Sequence, residues 1–393
     1  MSKLDLHQLR DQFRDGLLED TLPFWMKHGM RGGEGGVSTC LGRDGELLDS
    51  DKAVWPQGRF AWLLATLSSD FEARPEWLEA TNSCLGFLDK HGFDENGRMY
   101  FLLTDQGQPL RKRRYAYSEA FACMAFAARA KCTGSSDDAQ RAIQLFESYV
   151  AVSIDPGTCP AKVDPMTRPS KGIGPLMIGI NLAQTLRDRI EFAVAQDYID
   201  RWIDEIERDF CKPELSAVLE SVAPDGALID HFDGRMLNPG HAIEAAWFIM
   251  HEARVRGGDA RLLSLGVRML DWMWDRCWDR EHGGIYYFRD LHDKPCPEYW
   301  HDMKFWWPHN EAIIATLLAH VMTGEQRHLE RFQLVHEWAQ QHFADPEHGE
   351  WFGYLHRDGT RSVDLKGNHW KGPFHVPRMQ WYCWQLLEEH IDA

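Results

Sequence analysis

The chain has 393 residues, 44% hydrophobic and 26% charged, a globular composition with enough length for a large core. A formal charge of −17 opposes binding to phosphate backbones or anionic membranes, where electrostatic attraction supplies much of the affinity, so neither nucleic acid nor a membrane surface is expected as a partner. No stretch approaches the ~18 uninterrupted apolar residues of a membrane span, and the nine cysteines, odd in number and never spaced C-x-x-C, read as reduced thiols and not as a disulfide or zinc framework.

The chain opens with an amphipathic charged segment, MSKLDLHQLRDQFRDGLLED, which lacks the apolar run of a secretory signal and points to a cytoplasmic protein. From there helical periodicity dominates. Ala142, Leu145, Phe146, Tyr149 and Val150 define one apolar stripe, and Leu263, Val267, Leu270 and Trp274 another. Short glycine-rich phrases punctuate these helices: GGEGGVSTCLGRDGE (32–46), DENGRMYFLLTDQGQP (94–109), PDGALIDHFDGR (224–235), DREHGGIYYFRD (279–290) and DPEHGEWFGYLHRDG (345–359). Each reads as a small β-hairpin.

The marker glycines Gly36, Gly97, Gly226, Gly284 and Gly349 recur about every sixty residues, with one interval near twice that, so a degenerate copy is expected around 155–170 in DPGTCPAKVDPMTRPS. Six units, each long enough for a helix pair, describe an all-α, closed (α/α)6 barrel with short β-hairpins between helices, a single domain over 1–393. The 17 tryptophans exceed ordinary core needs; indole faces stack on sugar C–H surfaces, though core packing accounts for any one of them equally well.

Downstream of the hairpins come polar and aromatic clusters: VWPQGRFAW with Arg59, RRYAYSEAFA with Glu119, NPGHAIEAAWF with His241 and Glu244, MKFWWPHNEA with His309 and Glu311, and HWKGPFHVPR with His375. If the repeats are equivalent, all five face inward at one end of the barrel. Taken singly, each residue has an ordinary role: Arg59 an ion-pair partner, each acid a first-turn residue facing the helix dipole, each histidine a cap. Recurrence at equivalent positions favours convergence. His241 and Glu244 share a helical face at i, i+3, whereas His309 and Glu311 are splayed at i, i+2, so one of that pair is expected in the cavity while the other supports it.

No H-x-x-x-H or H-E-x-x-H is present, and no G-x-G-x-x-G, Walker A or G-x-S-x-G context, so no metal, dinucleotide, P-loop phosphate or serine elbow is expected. A glycosidase would need paired carboxylates, and these clusters are led by histidines. Cofactor-free proton transfer by imidazoles, whose ordinary pKa is about 6.5, is the chemistry this set suits.

FWMKHG, TCLGRDG, VWPQGR, NPGHAIEAAWF, FWWPHNEA, DPEHGEWFGYL and KGPFHVPR together resemble the N-acylglucosamine 2-epimerases, also known as renin-binding proteins in mammals, over nearly the whole chain. The resemblance implies an (α/α)6 barrel, interconversion of N-acetyl-D-glucosamine and N-acetyl-D-mannosamine, ATP as an effector and not a reactant, and a homodimer. By motif it implies His241 and His375 as the acid/base pair, with Arg59, Glu244 and Glu311 beside them and, from the wider family, Trp307 and Trp370 as aromatic walls; the clusters themselves add Glu119 and His309 as candidate sugar-binding residues. Related activities under the same resemblance are mannose or cellobiose 2-epimerisation and aldose–ketose isomerisation, and a protein-binding role without catalysis is a further alternative. Two departures stand out: Pro373 occupies a position where many relatives carry cysteine, and the helix around Met177 lacks the histidine found in relatives acting on unmodified sugars, which favours a 2-acetamido substrate. Lys371 and Arg378 read as structural or surface charges.

Overall fold

The computed structural model describes residues 5–154 and 163–392. Asp5 caps α1 (Leu6–Asp15), accepting the His7 and Gln8 N–H groups, and a π-helical turn leads into α2 (Leu22–His28). There follow α3 (Val54–Asp70), α4 (Pro75–His91), α5 (Tyr117–Thr133), α6 (Ser136–Ser153), α7 (Gly174–Ile190) and α8 (Ala195–Glu205). The short α9 (Phe232–Arg235) precedes α10 (Pro239–Val255), α11 (Ala260–Cys277), α12 (Trp306–Thr323), α13 (Gln326–Phe343) and α14 (His375–Asp392). Part of the segment expected to hold the degenerate hairpin, 155–162, lies outside the described residues.

Helices α3, α5, α7, α10, α12 and α14 form an inner ring, each packed on the next, and α4, α6, α8, α11 and α13 back them from outside. The last inner helix takes its outer partner from the other end of the chain, since α14 packs on α1. Closure between α14 and α3 runs through Trp384 on Phe71 (4.9 Å between ring centroids) and Phe374 on Trp62 (5.7 Å). This is the (α/α)6 barrel that the repeat spacing predicts. Inner helices are buried nearly all round, as in α12 from Trp306 to Ala319, whereas outer helices keep one apolar face. In α11 that face is Leu262, Leu265, Gly266, Met269, Leu270, Met273, Trp274 and Cys277; the predicted stripe is rotated slightly, leaving Leu263 and Val267 at its half-buried edge.

One stitch recurs at the end where the inner helices begin. Residues just before an inner helix pair with the hairpin of the following unit: Lys52–Ala53 with Leu102–Leu103, Lys171–Gly172 with Ser221–Val222, Met236–Leu237 with Arg289–Asp290, and Lys304–Phe305 with Tyr354–Leu355. A bridge between Leu365 and Gly42 makes the same connection across the two ends of the chain. Three of the hairpins bury a backbone N–H, of Val37, Met99 and Ile285, that needs an acceptor. The inner helices supply one from their first turns: Gln57 Oε1 accepts Val37 N–H (2.7 Å), Glu119 Oε1 accepts Met99 N–H (3.0 Å) and His309 Nε2 accepts Ile285 N–H (2.9 Å).

Two residues expected to face the barrel centre are held by their hairpins instead. Glu119 is fully buried, pairs with Arg98 (2.6 Å) and turns to its hairpin, away from the barrel centre. His309 donates from Nδ1 to Phe305 O (2.7 Å), stacks on Trp338 (4.9 Å, 16°) and has no nitrogen left for a substrate. The physical reason is backbone satisfaction: the recurring polar residue anchors the hairpin at those positions.

Glycines permit the closest helix contacts. At Gly58 an added Cβ would stand 2.5 Å from the Phe121 carbonyl oxygen, so α3 and α5 meet backbone to backbone. Gly58→Ala is expected to destabilise the fold by about 1–3 kcal/mol through overpacking, read as a lowered urea midpoint at unchanged slope. His309 yields a pH prediction. Burial foremost, with Lys304 and His342, lowers it to about 3. The folded chain thus binds fewer protons than the unfolded one below about 6.5, and this contribution, complete above that pH, is lost toward 3 at roughly 1.4 kcal/mol per unit. Unfolding free energies of native and His309→Gln proteins between pH 6.5 and 4.5 test it: the variant, which keeps an acceptor but does not titrate, is expected to show the shallower slope.

Candidate active site

The candidate site stands where the inner helices start. Asn238 caps α10, its Oδ1 accepting His241 N–H (3.2 Å), and Pro239 occupies the first turn, so His241 is delivered at the mouth of the barrel. α14 begins at His375 itself. Between the two imidazoles lies the Trp307 indole, 5.3 Å from the His241 ring and 5.8 Å from the His375 ring. Gly240 makes room for it, since a Cβ there would fall inside the indole. Trp307 is buried, so it bridges the two histidines as a wall of the site.

The histidines are held differently. His375 Nδ1 meets Glu311 Oε1 at 2.7 Å, an acceptor-only contact that assigns the proton to Nδ1 and leaves Nε2 as the bare nitrogen. Glu311 does not carry an uncompensated charge: its Oε1 also takes Arg378 Nη2 (2.6 Å) and its Oε2 takes the Trp247 indole N–H (2.7 Å). The same Arg378 nitrogen donates to Glu244 Oε1 (2.6 Å). Burial foremost, then the cationic Arg378 and Arg59, hold His375 well below the usual imidazole range despite Glu244. The short contact to Glu311 is therefore a hydrogen bond from a neutral ring.

His241 is partly open to solvent, and its Nδ1 lies 3.0 Å from Glu220 Oε1. Burial lowers it, but the charge and hydrogen bond of Glu220, with Glu244 and Glu311 beyond, outweigh that and raise it above the ordinary value. One imidazole is thus disposed to be neutral and the other protonated at the same pH.

Arg59 reaches the cluster from α3. Its guanidinium carbon lies 3.9 Å from the Phe121 ring centroid, 4.5 Å from Phe374 and 5.6 Å from Trp55. Burial, aided by Arg378, lowers it against the attraction of Glu244 and Glu311; a guanidinium stays charged even so. Trp370 stands at the rim, 43% exposed, packed on Phe101 (5.0 Å) and Trp55 (5.6 Å) with Arg113 over its face (5.0 Å).

Of the residues singled out by sequence, Arg59, His241, Glu244, Trp307, Glu311 and His375 are brought together, Trp370 borders them, and Glu119 and His309 turn from their helices to the hairpins. Glu220, Trp247 and Arg378 join them unannounced. Arg378 shares a face with His375 at i, i+3, and Trp247 with Glu244 at the same spacing, so helical periodicity was the available signal. Glu220 had none: it is one acid among many, placed by the strand Ser221–Val222. Glu244, Glu311 and His375 offer donor atoms within 4.8 Å of one another, the set among the described residues closest to an ion-binding arrangement. Arg378 already fills the cationic position there. Lys371 is buried in an ion pair with Glu350 (2.9 Å) and plays a structural part.

Comparison with known proteins gives this geometry a family. A family model described as N-acylglucosamine 2-epimerase (GlcNAc 2-epimerase) matches residues 35–376. The chain is 36% identical over 384 residues to the N-acylglucosamine 2-epimerase of Bos taurus, covering 95% of this chain and 90% of that protein. It is 35% identical over 384 residues to that of Rattus norvegicus, covering 94% and 90%. Among solved structures, a cellobiose 2-epimerase from Bacillus thermoamylovorans B4167 matches with a TM-score of 0.84 at 18% identity, covering 98% of this chain and 100% of that one, a likeness of fold. With a family match from the first hairpin to the second of the two imidazoles, the chain belongs to the N-acylglucosamine 2-epimerases.

Proposed function

We propose that this chain interconverts N-acetyl-D-glucosamine and N-acetyl-D-mannosamine by proton transfer between His375, His241 and C2 of the open-chain sugar. The observation that carries the reading is the opposed setting of two imidazoles on one indole: His375 held neutral with Nε2 free, His241 biased toward its protonated form by Glu220. Once the pyranose opens, the C1 carbonyl acidifies the C2 proton. His375 Nε2 removes it from N-acetylglucosamine, and Arg59 is placed to stabilise the enediolate-like oxygen in a poorly hydrated site, where a fixed charge is worth more than in water. His241 returns a proton to the other face. Imidazole acid/base chemistry balances this reaction without a cofactor; ATP enters only as an effector, and a homodimer in the cytoplasm is the expected setting, both on the strength of the resemblance alone.

His241→Asn and His375→Asn are each expected to lower turnover by at least ~10²-fold, the scale of losing a general acid or base, measured on N-acetylmannosamine with and without ATP. Near-native turnover in either variant rejects the two-histidine scheme. Incubation in deuterated water followed by NMR is expected to place label at C2 of the aldose; label at C1 of a ketose identifies an isomerase instead, and preferential turnover of cellobiose identifies the activity named for the solved structural neighbour. For N-acetylglucosamine the active combination, neutral His375 with protonated His241, is populated between a lowered and a raised pKa, so kcat/KM for that substrate is expected to hold a plateau through about pH 6.5. Glu220→Gln removes the charge that raises His241 and is expected to shift the basic limb of that profile to lower pH.

A further inference from the structure

Arg378 reads from sequence as a bland charge, yet it stands among the groups that matter most. Its Nη2 is shared between Glu244 Oε1 on α10 and Glu311 Oε1 on α12, 2.6 Å from each, and lies 3.4 Å from His375 Nδ1. The side chain is buried, with its guanidinium 4.5 Å from the Phe374 ring, 5.3 Å from Trp247 and 5.8 Å from Phe248, so it is enclosed by aromatic rings. Two buried carboxylates facing one imidazole would otherwise draw a proton onto it, because an uncompensated buried charge is too costly to leave unpaired.

We propose that Arg378 is a positioning residue for the reaction: it clamps Glu244 and Glu311 together, fixes the oxygen that orients His375, and supplies the positive charge those acids would otherwise take from the imidazole. The charged and titratable groups facing His375 are Glu311 from α12, Glu244 and His241 from α10, Arg59 from α3 and Arg378 from α14. Among the described residues Arg378 is the cation hydrogen-bonded to both carboxylates, with Arg59 acting on them from farther off. The inference rests on His375 being a proton carrier, and its test separates the two ideas.

Arg378→Gln, neutral but still a hydrogen-bond donor, is expected to lower kcat by about 10- to 100-fold, the scale of losing an outer partner that orients a functional histidine. It is also expected to move the acid limb of kcat/KM to higher pH, because two acids without their cation raise the imidazole. Arg378→Lys, which restores the charge, is expected to return the limb toward its native position. A purely structural role would lower the melting temperature of both variants without moving either limb, and a native acid limb in the glutamine variant overturns the proposal. If the glutamine variant does not fold, ¹⁵N NMR of the native protein decides, with His375 assigned by its loss in His375→Asn. A neutral, Nδ1-protonated ring from pH 7.5 to 6 supports the proposal, and a doubly protonated ring at pH 6.5 overturns it. Native turnover in His375→Asn removes the underlying reading instead, whatever Arg378 does.

Discussion

The carboxylate of Glu311 is the point on which the candidate site depends. One oxygen receives His375 and Arg378, the other the indole N–H of Trp247, so a single buried acid joins α10, α12 and α14. A lone carboxylate in that position would be expensive to keep ionised. Three charge-assisted donors make it stable, and in doing so they settle which nitrogen of His375 carries its proton and which is bare. The orientation of the imidazole, its protonation and the mutual placement of three inner helices are consequences of one set of hydrogen bonds.

A second constraint governs the same end of the barrel. The hairpins that stitch each unit to the next bury backbone N–H groups, and the first turn of the inner helix must offer an acceptor. Gln57, Glu119 and His309 do this, three chemically different residues with one task. The site is assembled from the side chains that this task leaves free. Arg59 follows Gln57 by two positions and Glu311 follows His309 by two, so in each helix the hairpin anchor and the inward-facing group point in different directions.

Aromatic residues complete the enclosure with graded exposure. Trp307 is buried between the histidines, Trp55 is half-buried beside Arg59, and Trp370 is open at the rim under Arg113. Such a gradient leads from an apolar, charge-strengthening interior to a wet edge, which suits a ligand with hydroxyls on its edges and C–H groups on its faces. The tryptophan surplus thus divides between this wall and ordinary core: Trp25, Trp202 and Trp351 are fully buried packing residues.

The barrel was legible in the sequence because its signals are local and periodic. Glycines at the hairpin turns recur with the unit length, and Gly36, Gly97, Gly226, Gly284 and Gly349 all adopt the positive φ that only glycine takes easily. The motifs carrying His241, His375, Arg59, Glu244, Glu311 and Trp307 were visible for the same reason, each lying in the first turns of an inner helix. What periodicity could not do was tell an anchor from an inward-facing group: Glu119 and His309 sit in the same kind of cluster as His241 and differ in which side of their helix faces the hairpin. Glu220 comes from the bend just before the strand Ser221–Val222, with no helical register to reveal it, and the shared guanidinium of Arg378 depends on two acids more than sixty residues away in sequence. Sequence by itself determined the repeat, the helices and the residue types at their mouths, because those follow from local propensity and spacing. Only the tertiary structure decided which groups meet, since hydrogen-bond partners and protonation are set by distances across the ring.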